Sequence, residues 1–130
     1  MESNFNEKVL QHKHLIIKAD VMNPPTNPDY ISKIWMPELI KSIGMKVLMG
    51  PYATYCDMKG NRGLTAVAII ETSHIVIHSW DECEPGMIQF DLYTCGALEP
   101  ETVVPFLDEF NPIKIESKYL DREKGLEEIM

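Results

Sequence analysis

The fold is organised around Leu64-Thr65-Ala66-Val67-Ala68-Ile69-Ile70-Glu71-Thr72-Ser73-His74-Ile75-Val76-Ile77-His78-Ser79-Trp80. Leu64 to Ile70 is strongly apolar and fits a central strand, Ile75 to Trp80 fits another, and Met87 to Thr94 fits a third. Into this apolar region the sequence sets the hydroxyl of Ser73, the imidazoles of His74 and His78 and, just after Asp91-Leu92-Tyr93-Thr94, the thiol of Cys95 beside Gly96. Reactive polar groups among apolar neighbours are costly unless they are paired. Their clustering marks a candidate site.

Outward from this centre, His14 to Ala19 reads as a short apolar strand. Residues 23–28 contain three prolines and must form a loop, because proline removes a donor and restricts its neighbour. A helix is predicted from Asp29 to Ile43, with Ile31, Ile34, Trp35, Leu39 and Ile43 as its apolar face, a kink at Pro37 and Gly44 as its C-cap. Met45 to Met49 reads as a strand that resumes from Ala53 to Cys56, and Asp57 to Gly63 as a glycine-rich turn. Glu99 to Phe110 is a second helix with Pro100 in its first turn and Val103, Val104, Leu107 and Phe110 on one face. Ile113 to Tyr119 is a last strand, followed by an exposed acidic tail.

The order β-α-β-β-β-β-α-β specifies an α+β fold: a two-layer sandwich of a mainly antiparallel sheet with both helices on one face. Two short helices cannot cover Val67, Ile69, Ile75, Ile77 and Ile88 together, so a homodimer or higher homo-oligomer is expected. The 130 residues suit one domain, residues 1–130. A net charge of -8 and a pI near 4.9 argue against nucleic acid or an anionic membrane as partner. No apolar run reaches the ~18 residues of a membrane span, and Met1 to Glu7 has no features of a secretory leader. Three cysteines with no CxxC pair point to a reducing, cytoplasmic setting.

Taken singly, the reactive residues have ordinary readings. Ser73 would be a turn residue, His74 and His78 half-buried hydrogen-bonded rings, and Cys95 a small buried hydrophobe. On a strand the two histidines stand ~13 Å apart, too far to share zinc, so no metal is expected there. Asp91 interrupts an apolar strand and either pairs inside or faces water. Trp80 reads as core or interface, and Glu82 as a surface charge.

Taken together, these residues resemble the bacterial-type S-adenosylmethionine decarboxylase proenzymes. That family carries Glu-Ser-His-x-x-x-His-Thr-Trp-Pro-Glu followed by Asp-x-x-Thr-Cys-Gly. Here the first reads Thr72 to Glu82 and the second Asp91 to Gly96. The likeness reaches upstream through Gly63-Leu64-Thr65-Ala66, where the family has Gly-x-Ser-Gly, to the early pair His14-Leu15. The resemblance implies self-cleavage between residues 72 and 73. Ser73 would attack the Thr72 carbonyl and end as a pyruvoyl group, the cofactor, which forms a Schiff base with a substrate amine and draws electrons as carbon dioxide leaves. It further implies that His78 assists processing as acid or base, that Thr65 offers a hydroxyl to the processing intermediate, that Cys95 returns a proton to the decarboxylated carbon and that Glu82 contacts substrate. The implied function is decarboxylation of S-adenosylmethionine for spermidine synthesis.

The chain departs from the pattern at defined places. Thr72 stands where the family has glutamate, Thr65 replaces a serine, and two extra residues lie between Trp80 and Cys95. The family's adenine-stacking aromatic precedes Gly-x-Ser-Gly, but here that stretch is Lys59-Gly60-Asn61-Arg62. These departures keep two alternatives open. One is the same chemistry on arginine or ornithine; the other is an unprocessed, non-catalytic family member that binds a ligand or partner. Strand alternation also sets Ser73 and His78, five positions apart, on opposite faces unless a turn or bulge reconciles them.

Overall fold

A computed structural model of the chain describes residues 10–129. The opening residues, Met1 to Glu7, lie outside the described residues. The elements are β1 (Lys13–Val21), α1 (residues 28–42), β2 (Val47–Cys56), β3 (Gly63–Ile70), β4 (Ser73–Trp80), β5 (Gly86–Thr94), α2 (residues 100–110), β6 (Pro112–Asp121) and β7 (Glu127–Glu128). They form one sheet in the order β2-β3-β4-β5-β1-β6-β7, with every neighbouring pair antiparallel. The expected α+β sandwich holds. The acidic tail is exposed as expected, though Glu127 and Glu128 pair with Asp121 and Leu120. The two predicted pieces of β2 form one strand, starting at Val47 and irregular in register between Val47 and Tyr52.

α1 begins where the sequence supplies a cap. The Asn27 side-chain oxygen accepts from the amides of Asp29 at 3.0 Å and Tyr30 at 3.3 Å, and Pro28 takes the first helical position. It ends at Gly44, whose φ of 75° is the left-handed conformation glycine adopts freely. There the Gly44 amide donates to Lys41 O and the Met45 amide to Ile40 O, a Schellman closure. Between these ends Ile31–Trp35 forms a wide π turn before Pro37. A proline ring collides with the carbonyl four residues back, and a widened turn relieves that clash. The extra residue rotates the helix face, which corrects one expectation: Ile34 is 52% exposed, while Ile31, Trp35, Met36, Leu39 and Ile40 are buried. α2 starts at Pro100 and tightens to a 3₁₀ helix over Val104–Phe110, burying Val103, Leu107 and Phe110.

Both helices cover one side of the sheet. Trp35 packs edge-on to Phe90 of β5 and against Phe110 of α2, with ring centroids 6.3 and 5.6 Å apart, and its indole N–H donates to Phe106 O. Beneath them Ile17, Ala66, Ile77 and Phe90 are 1% exposed or less. Of the five residues that two helices were not expected to cover together, Ile75, Ile77 and Ile88 all lie on this sealed side. The strand alternation turns Val67 and Ile69 to the other side instead.

That other side has no covering layer among the described residues. Strand register lays it out in rows. His14, Tyr93, His74 and Ile69 form one row, Ile16, Asp91, Val76, Val67 and Tyr52 the next, and Lys18, Gln89, His78, Thr65 and Thr54 the third.

Candidate active site

The turn between β3 and β4 is only Glu71-Thr72. Thr72 has φ 49°, in the left-handed region that β-branched residues avoid, and such a conformation costs on the order of 1–3 kcal/mol. Ser73 follows at the start of β4, buried on the helix side. Its hydroxyl donates to Glu71 O at 2.9 Å and accepts from the Cys95 amide at 2.9 Å. The Cys95 thiol donates to the same Glu71 O at 3.2 Å. The fold thus brings Ser73 and Cys95 together around one carbonyl, beside a strained peptide.

Thr65 and His78 form a separate pair. They stand opposite each other in the β3–β4 ladder on the open side, with Thr65 Oγ1 2.9 Å from His78 Nδ1. Five strand residues span ~16 Å, and the faces are opposite, so His78 does not reach Ser73 within one protomer. The two-residue turn does not reconcile them. Thr65 and His78 line a shallow pocket with Asn61 and Trp80. The Trp80 indole N–H donates to Asn61 Oδ1 at 2.9 Å, which fixes the ring beside His78. Glu82 is exposed, and its carboxylate accepts from the amides of Gly60 at 3.0 Å and Arg62 at 3.4 Å. Those two bonds, Gly60 first, hold it below the usual glutamate range. Glu82 therefore organises the loop at the edge of that pocket.

A third group sits one residue from the turn, on the open side. Asp91 Oδ1 accepts from His14 Nε2 at 2.8 Å and from His74 Nε2 at 2.9 Å. Arg122 lies 3.1 Å from His14 Nδ1 and stacks over Tyr93, whose hydroxyl is 2.7 Å from His12 Nδ1. The ligand atoms of His14, His74 and Asp91 are close enough together to hold an ion. The protons argue otherwise. A guanidinium only donates, so His14 Nδ1 accepts and the neutral ring keeps its proton on Nε2, committed to Asp91. A metal-bound imidazole needs the reverse, a bare Nε2 and an acceptor at Nδ1. The trio is a hydrogen-bonded hub. Burial pushes the Asp91 carboxyl up, but the bonds from His74 and His14 outweigh it, and Asp91 titrates below the usual aspartate range.

His74 meets the expectation of a hydrogen-bonded ring and Asp91 resolves as a paired carboxylate; their union with His14 and Arg122 is not visible in the sequence. The available signal was parity: His14, His74 and Asp91 all fall on the outward positions of apolar strands.

Residues 13–123 match the family model described as S-adenosylmethionine decarboxylase. Over 121 residues the chain is 30% identical to the S-adenosylmethionine decarboxylase proenzyme of Pyrococcus furiosus, covering 88% of this chain and 79% of that one. It is 31% identical to the proenzyme of Thermococcus gammatolerans, again over 88% of this chain and 77% of the other. A shorter match, 42% identical, spans 48% of this chain and half of the Pyrobaculum arsenaticum proenzyme. The fold is similar to the crystal structure of the adenosylmethionine decarboxylase from Aquifex aeolicus, with a TM-score of 0.59 over 93% of this chain and 96% of that one at 20% identity.

Proposed function

The chain belongs to the S-adenosylmethionine decarboxylase family, and from that premise we propose that it is a self-processing, pyruvoyl-dependent decarboxylase of S-adenosylmethionine, a carboxy-lyase of spermidine synthesis. The carrying observation is the turn at 71–73: a strained Thr72, with the Ser73 hydroxyl and the Cys95 thiol converging on Glu71 O. Left-handed strain at Thr72 raises the energy of the intact peptide and favours its rearrangement. Ser73 Oγ attacks the Thr72 carbonyl carbon as the peptide C–N bond breaks, giving an ester. Loss of the residue-73 α-proton and of the Cβ–O bond then frees the Thr72 carboxylate, and water replaces the α-nitrogen as ammonia leaves.

The residues present fit a ketone at position 73. Its site is largely screened from water, and a thiol stands beside it. When formed, the pyruvoyl group supplies an electron sink for loss of carbon dioxide. Cys95 acts as the acid that returns a proton to the substrate carbon. Trp80 gives the Thr65–His78 pocket an indole face, which offsets the missing aromatic at 59–62 and supports an adenine-bearing substrate there; since the pocket lies on the open side, the residue 73 it would serve belongs to a second copy. Glu82 is the proposed substrate contact at its edge.

The open sheet face is the proposed homodimer contact. It exposes Tyr52 at 61%, Met49 at 54% and Ile69 at 46%, an apolar patch of the kind that marks interfaces. His78 faces the open side and does not reach Ser73 of its own chain, so a part for it in processing requires the Ser73 turn of a second copy to lie against this face. The three free cysteines suit a cytoplasmic setting.

Denaturing mass spectrometry tests the reading. The purified chain yields fragments split between Thr72 and Ser73, and Ser73→Ala stays whole. A wild-type chain that stays whole overturns self-processing and leaves the non-catalytic reading. The matured protein is then offered carboxyl-labelled S-adenosylmethionine, arginine and ornithine, and carbon dioxide is released from the first. Release from arginine or ornithine alone keeps the mechanism and overturns the substrate. A matured Cys95→Ala variant loses turnover by about 10²–10⁴-fold, and unchanged turnover rules out its role.

A further inference from the structure

The self-processing chemistry removes every anchor that Ser73 now has on its side chain. Ser73 Oγ holds the Glu71 carbonyl and the Cys95 amide in the intact chain. In the cleavage that oxygen leaves with the Thr72 carboxylate. The residue-73 nitrogen departs as ammonia, taking its backbone N–H with it. The covalent turn to β3 is also cut. The first residue of the new chain that still carries a side-chain anchor is therefore His74, and that anchor is Asp91.

We propose that Asp91 is a positioning residue, which through His74 holds the ketone-bearing end of β4 in place after cleavage. This rests on the self-processing reading above. The geometry suits the task. Asp91 lies on β5, diagonal to His74 across the β4–β5 ladder, so it grips the new terminus from a neighbouring strand. Its one oxygen, Oδ1, also takes His14 from β1 on the far side, and Arg122 beyond β6 steadies His14 in turn. A free strand end is thereby tied across β5 and β1 in the middle of the sheet. Three side chains from distant parts of the sequence would otherwise form a polar cluster that the helix-side core does not need. Before cleavage the covalent turn shares this job; after it the strand ladders and the hub remain, so the hub matters more in the cut chain than in the intact one.

That difference gives the test. In matured protein, Asp91→Asn accelerates hydrogen exchange in residues 74–77 relative to wild type. In the uncleaved Ser73→Ala background the same substitution accelerates exchange there several-fold less, because the turn still holds β4. Cleavage itself proceeds at a rate within a few-fold of wild type. Turnover of the matured variant falls by about 100-fold with KM nearly unchanged, the scale expected of an ångström-sized misplacement of a reacting group. Asp91→Glu restores part of it. His74→Leu, which removes the grip from the other end, repeats the pattern. Equal acceleration in cut and uncut backgrounds, or failure of both variants to fold even when uncut, makes Asp91 an ordinary stability residue and overturns the proposal. Wild-type turnover in matured Asp91→Asn does the same. A wild-type chain that never cleaves instead overturns the self-processing reading, and this inference with it.

Discussion

Phe90 and Asp91 are consecutive in β5 and live in different worlds. Phe90 is 1% exposed and wedged against Trp35, whereas the Asp91 side chain is 42% exposed and bonded to two histidines. The same contrast runs along β4, where Ile75 and Ile77 are sealed and His74 and His78 are not. Period-two alternation lets one strand serve a core and a chemical surface at once. The sealed side supplies stability through burial. The open side supplies position, because the ladder sets polar groups from distant strands within hydrogen-bond reach.

The sharpest break of this contrast is Phe90→Ala. It removes a ring from beneath Trp35 and should cost about 3–5 kcal/mol, read from urea unfolding of the uncleaved Ser73→Ala chain. A cost below ~1 kcal/mol would mean the helix layer does not carry the core. On the other side, Ile69→Lys should change protomer stability by only about 0.5 kcal/mol, since Ile69 is 46% exposed there. It should nonetheless dissociate the proposed dimer; sedimentation that shows a dimer in both wild type and variant moves the interface elsewhere, and a monomeric wild type overturns the dimer.

A finer probe is acid. Asp91 titrates below the ordinary aspartate value in the folded chain, so its contribution to stability is complete above about pH 3.9 and is lost as pH falls through the folded value. Asp91→Asn should therefore flatten the acid limb of the stability profile, while Phe90→Ala lowers the whole curve without changing its shape. An unaltered acid limb in Asp91→Asn would show that the histidine bonds do not hold in solution. The smallest effect belongs to Cys83→Ala. Cys83 is exposed, with no hydrogen-bonded partner on its thiol among the described residues, so neither stability nor turnover should move. A loss of turnover there would put a second thiol into the chemistry.

Much of this contrast was legible in the residues. Apolar runs locate the strands, Gly44 locates the end of α1, and the count of five from Ser73 to His78 puts them on opposite faces. Other features were not legible, for local reasons. A π turn forced by Pro37 re-aimed Ile34, because a single extra residue shifts a helix face without changing its composition. The left-handed Thr72 runs against the preference of a β-branched residue, so only tertiary context imposes it. The hub eluded the sequence because His14 and Asp91 are 77 positions apart, and nothing local announces that β1 inserts beside β5.

The place of β1 in the sheet also sets a clock. The first described strand lies between β5 and β6, and its contacts close loops of 81 residues at His12–Tyr93 and 108 at Lys13–Asp121. Long-range antiparallel pairing of this kind forms late, since the chain must close those loops before it is repaid. The Ser73 hydroxyl meets Cys95 only once β4 and β5 have paired, and His74 meets His14 only through Asp91, when β1 has slotted in between. A nascent chain leaving the ribosome would therefore set Ser73 against Cys95 early, in a local hairpin, and would complete the hub that keeps both pieces of the proposed scission together only after β1 has closed those loops.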